Sequence, residues 1–433
     1  MAYVPPKKQN HTKQLVIIAL VLLIAAGATW GYQIWHTKQP DAWQPMTICG
    51  FSEEKTKERL QGITTETYTI RDYHFYGKSL NVFANPYALE NTDDIKRKSI
   101  TMHNLCTDEK ITYTMEESAD RQIDLVEPQP GFYALTVHDE QKEKQLVYEG
   151  ALHSEPFYTL RRNGRVKKVT LIADREIVEP ALTSNPLFLQ IDDAPAPEEI
   201  ADVFIDPYGD RMINGVLQPS GSANGLQEAK EMQEAAEQLK KELEGYGLRV
   251  VLAKDEADAV LGYYDENGIM KKAYDSHAKY YIELGMNASS EIRYSGAEIY
   301  YSNYSSATLA NTLMYHLKRE TSITPSNMYQ WEEHSEGVSS ARLAVGKEGT
   351  YLYDAMPSLR ESGGRISGAA SISAEAQEND EMIQTRNSGM QALSVNFIYL
   401  TNQVDAQIWK QEKTKIIEVL ATAFVEAIHV KES

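Results

Sequence analysis

The chain has 433 residues, with 43 Lys and Arg against 62 Asp and Glu, and a formal net charge of −19. That balance excludes nucleic-acid binding, which relies on clustered basic residues that displace counterions. It also excludes simple electrostatic adhesion to anionic lipid or anionic wall polymer, while the length allows two domains and an additional element.

Residues 1–14 are polar and Pro-bearing and read as a cytoplasmic tail. Leu15–Trp35 follows without a single charged residue. At 1.5 Å per residue such a run reaches roughly 30 Å, the thickness of a bilayer core. Lys7, Lys8 and Lys13 precede it and only Lys38 follows closely, so the bulk of the chain is expected outside the cell. Trp30, Tyr32 and Trp35 stand where an interfacial aromatic belt belongs. The competing reading is a cleaved signal peptide, because Ala26-Gly27-Ala28 offers small residues to a peptidase. Cys49 and Cys106 are the only cysteines. Outside the membrane they can pair, or remain two separate buried thiols; spacing alone does not decide.

Residues 46–190 alternate short apolar runs such as GFYALTVHD (Gly131–Asp139) and KKVTLIAD (Lys167–Asp174) with turn residues. That rhythm predicts a β-rich, sandwich-like extracellular domain. IDDAPAPEEI (Ile191–Ile200) reads as an acidic, Pro-containing linker. From 201 to 430 strands alternate with longer helices, which predicts a three-layer α/β domain. The first helix starts near Leu226, with an apolar stripe through Ala229, Met232, Ala236, Leu239 and Leu243, and Gly245 and Gly247 stop it. Strands are expected at Tyr280–Gly285, Gly296–Ser302 and Ala392–Leu400. A second helix is expected over Ser305–Thr321, capped by Ser305 or Ser306, and a last one from Asp405, as its cap, to His429. An insertion at 324–389, rich in Ser, Gly and acidic residues, holds Arg360, Glu361 and Arg365, which sit either in a site or on a solvated excursion.

Several stretches together resemble the catalytic domain of the zinc-dependent N-acetylmuramoyl-L-alanine amidases. They are VFIDPYGD (Val203–Asp210), GLQE (Gly225–Glu228), IELGMNA (Ile282–Ala288), GAEIYYS (Gly296–Ser302), SSATLAN (Ser305–Asn311) and LSVNFIYLTNQVD (Leu393–Asp405). Such an enzyme needs three zinc ligands with an open fourth position, and a carboxylate to handle the proton of the attacking water. The resemblance assigns the His ligand of an IDPGH-type motif to Gly209 and the Glu ligand to Glu228. It assigns the second His ligand, in an ISIHANA-type motif, to Gly285 and the catalytic Glu to Asn396. Glu228 alone keeps its chemistry, and an acid there is also what a helix N-terminus favours.

His277 is the first histidine to consider as a replacement ligand, with Asp206 and Asp210 nearby in motif terms, but it is expected eight residues before Gly285 on one strand, at the wrong end of the sheet; His316 is expected on a helix beside the sheet and His334 in the insertion. The resemblance therefore implies a cleft at the strand ends carrying Asp206, Glu228, Asn287 and Asn396, with no catalytic or metal residue intact as a set; the insertion adds Arg360 and Glu361 as further candidate binding residues. The expected protein is a membrane-anchored, extracellular, amidase-like chain at the peptidoglycan wall that binds or scaffolds rather than hydrolyses. The alternative is an active amidase with a rearranged metal site, using Glu228 with the insertion or His334; a third reading is a pure assembly protein. No cofactor is expected under the first reading and zinc under the second. Peptidoglycan or a cell-wall protein is the expected partner.

Overall fold

The computed structural model describes residues 47–428 except 85–94, 96, 115–121, 149–151, 153–155, 174–185, 214, 264–267, 303–304, 330–334, 346–350, 355 and 363–387. The apolar run at 15–35 lies outside the described residues. Among those described, no helix is long and apolar enough to cross a membrane.

The first region is built from two sheets. The larger runs Thr67–Ile70, Lys142–Tyr148, Gly131–Asp139, Leu187–Pro195, Arg165–Ala173, Phe157–Tyr158, with Ser99–Asn104 and Lys110–Thr114 branching from Gly131–Asp139. The smaller holds Asp72–Tyr76, Ser79–Phe83 and Gln122–Asp124. Leu80 and Val82 from the smaller sheet share one apolar core with Met102, Leu135, Val137 and Ile191 from the larger.

Two expectations need correction here. A helix, Glu53–Gln61, precedes the strands; Ser52 caps it by accepting from the Lys55 amide at 3.3 Å, and Glu53 and Glu54 fill its first turn. The stretch read as a linker from Ile191 is strand as far as Pro195, because Asp192 and Asp193 lie opposite Lys168 and Lys167 on the neighbouring strand. Cys49 and Cys106 form a disulfide, which ties the entry of the domain to the turn after Asn104.

The second region is a six-stranded sheet. Its strands in chain order are β1 (Val203–Pro207), β2 (Val250–Leu252), β3 (Tyr280–Asn287), β4 (Glu298–Tyr301), β5 (Val338–Ser340) and β6 (Gln391–Tyr399). Across the sheet the order is β2-β1-β3-β6-β4-β5, and only the β6–β4 pair is antiparallel. The helices are α1 (Glu228–Gly245), α2 (Ile269–Asp275), α3 (Thr308–Glu320), α4 (Pro357–Ser362) and α5 (Gln403–Ala427). Alternate residues of β1 divide the faces. Val203 and Ile205 pack with α1, α3 and α5, whereas Phe204 packs with α2 and α4. Burial on both faces explains the near-continuous apolar strands.

The helix starts also differ from expectation. α3 begins at Thr308; Ser306 still accepts from the Thr308 amide, but the cap position is Ala307. α5 is capped by Asn402, whose Oδ1 accepts from the amides of Val404 and Asp405. Asp405 instead points back and accepts from the amides of Gly296 and Tyr399, each at 2.8 Å. Gly296 has φ +97°, and a Cβ there would strike the carbonyls of Thr324 and Pro325, so this junction admits only glycine.

The insertion is partly built into the fold. β5 extends the central sheet, Arg342–Val345 and Tyr351–Asp354 form a hairpin, and Ser388–Gly389 pairs in parallel with Asp72–Tyr76 of the first region. Residues 47–175 and 179–433 accordingly form one compact unit. At the seam, the Arg161 amide donates to Asp202 Oδ1 at 2.9 Å, and Lys279 lies 4.6 Å from the centre of the Phe157 ring. Burial lowers the Lys279 amine to about 7 against an ordinary 10.5, with Asp202 opposing the fall.

Two outcomes follow from this packing. The double variant Cys49→Ala/Cys106→Ala should lose about 2–4 kcal/mol in urea unfolding, because the unfolded chain regains the freedom of the closed loop. For Lys279 the unfolded state binds the extra proton between pH 7 and 10.5, so folding stability rises with pH across that window. Unfolding of Lys279→Met beside the natural chain should show a variant advantage that is largest near pH 7 and shrinks toward pH 10.

Candidate functional site

The parallel strands β1, β2 and β3 end side by side, and the residues singled out by sequence gather at those ends. Glu228 is the first residue of α1, placed there by the tight return of Ser222–Ala223 onto Leu226–Gln227 and by Gly225 at φ +74°. Its two carboxylate oxygens are both engaged. Oε1 accepts from the Met286 amide and Oε2 from the Gly221 amide, each at 2.9 Å. Burial raises its pKa, while the two amides and Arg211 pull it back. Glu228 is thus more than a helix-terminal acid, since it ties α1 to the end of β3.

Gly209 follows β1. A Cβ built on it would fall on the ammonium group of Lys254, which arrives from just beyond the end of β2. Lys254 is 5% exposed, and its Nζ donates to the Ala257 carbonyl at 3.2 Å. Gly285 pairs in register with Asn396 across β3 and β6, and a Cβ on Gly285 would lie 2.9 Å from Asn396 Oδ1. The Asn396 amide nitrogen reaches Ser394 Oγ at 3.4 Å. Asn287 stands at a register break between β3 and β6, with its side-chain nitrogen buried and without a partner among the described residues.

Asp206 is 1% exposed and faces away from Glu228, onto the α2 and α4 side of the sheet. There it belongs to a polar cluster that sequence reasoning missed. Arg211 Nη2 lies 3.0 Å from Asp206 Oδ2 and 3.7 Å from Glu283 Oε2. The Tyr281 hydroxyl donates to Asp206 Oδ2, and Ser394 Oγ donates to Glu283 Oε1 at 2.9 Å. The guanidinium stacks 4.6 Å from the Tyr208 ring centre and 5.3 Å from that of Tyr263, while Nε and Nη1 have no partner among the described residues. Burial disfavours the Arg211 charge, but Asp206, Tyr263 and Glu283 hold it firmly protonated. Burial also raises the Glu283 carboxyl. The signal was present in the sequence: an acidic residue in the middle of a fully buried strand, YYIELGMN, requires a buried cation.

Arg360 and Glu361 lie in the short helix α4, whose Ser358 and Leu359 are buried. Arg365 and His334 fall outside the described residues. His277 is not on β3 as expected. It occupies the turn after α2 with φ +51°, because α2 must reverse into the strand. His316 lies on α3 beside Glu320 and Glu426 at 2.8 and 3.4 Å. Among the described residues no group of three or more His, Cys, Asp or Glu is arranged to hold a metal. The zinc implied by the family resemblance does not fit the residues present. Two ligand positions carry no donor, an ammonium fills the space beside one of them, and Glu228 spends both oxygens on backbone amides.

A family model described as N-acetylmuramoyl-L-alanine amidase matches residues 214–430, half of the chain. The chain belongs to the N-acetylmuramoyl-L-alanine amidase family. The match begins beyond β1, so the strand holding Asp206 and the glycine after it lies outside it. Among solved structures, the catalytic domain of CwlV, an N-acetylmuramoyl-L-alanine amidase from Bacillus (Paenibacillus) polymyxa var. colistinus, is 17% identical with a TM-score of 0.35, and the alignment covers 54% of this chain and 100% of that one. The amidase AmiC2 of Nostoc punctiforme is 17% identical with a TM-score of 0.34, covering 54% of this chain and 97% of that one. Cwp6 from Clostridium difficile is 16% identical with a TM-score of 0.33, covering 53% of this chain; the chain spans only 29% of that protein. No curated protein matches the chain.

Removing the cation from the missed cluster tests its weight. Arg211→Met leaves Asp206 and Glu283 buried without their partner and should cost about 3–5 kcal/mol in urea unfolding.

Proposed function

We propose that this amidase-like protein sits on the outer face of a bacterial membrane and binds peptidoglycan without hydrolysing it. One observation carries the reading. Where the resemblance puts two imidazoles the chain has Gly209 and Gly285, and the space beside them is taken by the Lys254 ammonium and the Asn396 amide. The amide at Asn396 has no basic site at neutral pH, so it is no substitute for a general base. Glu228 retains a carboxyl of raised pKa, but as a cross-strand tie rather than an open ligand. The placement outside the cell is supported by the uncharged run Leu15–Trp35 with its preceding lysines and by the Cys49–Cys106 disulfide, which suits an oxidising compartment. Peptidoglycan is the ligand the family suggests, and a cell-wall protein is the other partner this platform would serve.

The alternative, hydrolysis through a rearranged metal site, would rest on Glu228 together with residues of the insertion. Three measurements on the purified full chain separate the two: retention on isolated cell wall, zinc content, and release of stem peptides from wall fragments. Binding is expected to show retention with no stoichiometric zinc and no release. Zinc at one per chain together with stem-peptide release would overturn it, and absence of retention would leave the assembly role as the surviving reading.

A further inference from the structure

Lys254 belongs to none of the motifs, yet it stands at the centre of the site. It is delivered by the turn after β2, the strand next to β1, and its stem is buried. Burial lowers its pKa, and Asp206, followed by Asp210 and Asp258, works against that fall. The single hydrogen bond of its ammonium among the described residues goes to a backbone carbonyl, that of Ala257. Asp210 for its part accepts from the amide and the hydroxyl of Ser220, both at 2.8 Å, which keeps an anionic turn beside the strand ends. Asp206 and Asp210 thus both attract the ammonium, while Glu228 has its own two amides, and a buried charge is held by opposite charge nearby.

We propose that the Lys254 ammonium is a built-in cation standing in for the metal ion: it fills the space that glycine at position 209 leaves open and sets a positive charge beside Asp206 and Asp210. This rests on the non-hydrolytic reading and goes beyond it, because it names what replaced the metal. Lysine and glycine then form one device. A side chain at 209 needs the ammonium gone, and loss of the ammonium leaves an unfilled space beside the glycine.

The test uses the full chain as wild type, Lys254→Met, Lys254→Arg, Gly209→His and Gly209→His/Lys254→Met. The readouts are thermal unfolding with and without added zinc, and zinc affinity by competition with a chromogenic chelator. Lys254→Met should unfold at lower temperature, and zinc should restore none of the loss because positions 209 and 285 still lack a donor; Gly209→His/Lys254→Met, which regains one, should bind zinc at least about tenfold more tightly than wild type. Lys254→Arg, which keeps the charge, should retain most of the stability and ignore zinc. Gly209→His alone should be strongly destabilised, and the double variant should be more stable than the sum of the single losses predicts. Additive effects, or a Lys254→Arg chain as impaired as Lys254→Met, would overturn the proposal even if Lys254→Met fails to fold. Wild-type measurements keep the two claims apart. A zinc-loaded, hydrolytic wild type defeats the non-hydrolytic reading itself, whereas a zinc-free wild type with additive variants defeats only the role of Lys254.

Discussion

Charge compensation at the ends of three parallel strands constrains this molecule more than any other interaction. Asp206, Glu283 and Glu228 are each at most 5% exposed, and unpaired carboxylates at that depth are not tolerated. Each is answered differently. Asp206 takes Arg211 and Tyr281, Glu283 takes Arg211 and Ser394, and Glu228 takes two backbone amides. These answers fix the geometry of the site. Arg211 locks the turn after β1 against β3, and Glu228 locks the start of α1 to the end of β3.

The same constraint links the site to the chemistry it can perform. A hydrolytic zinc centre brings its own divalent charge and needs ligand atoms free to face it. Here the oxygens of Glu228 are committed, and the space beside Gly209 holds an ammonium. A fixed, single positive charge can orient a carbonyl or carboxylate of a ligand, but it lowers the pKa of no bound water in the way a metal does. On the proposed reading, that charge faces a wall peptide held at the strand ends. The seam through Arg161, Asp202 and Lys279 carries that platform on the β-rich region as one body.

Much of the α/β region was legible because its signals are long and periodic. The stripe from Met232 to Leu243 faces the sheet, and the apolar runs at Val203, Tyr280 and Ala392 are strands. What escaped the sequence was decided by contacts distant along the chain. Asp405 reads as a cap but is drawn to the amides of Gly296 and Tyr399, leaving Asn402 to cap α5. Ile191–Pro195 reads as a linker from its acids and prolines, and becomes strand because lysines of Arg165–Ala173 face Asp192 and Asp193. At the site, Gly209, Glu228, Gly285 and Asn396 were found through motif register. Arg211 and Lys254 were missed because the motifs assign neither a ligand or catalytic role. Only the fold shows that the turn after β1 and the turn after β2 bring their charges to one place.

A zinc-soaked crystal of the protein, with diffraction collected on both sides of the zinc absorption edge, tests the central claim most directly. The account predicts electron density for the Lys254 side chain against Gly209 and no anomalous peak within coordination distance of Glu228. A strong anomalous peak there, with the Lys254 side chain displaced, would contradict it.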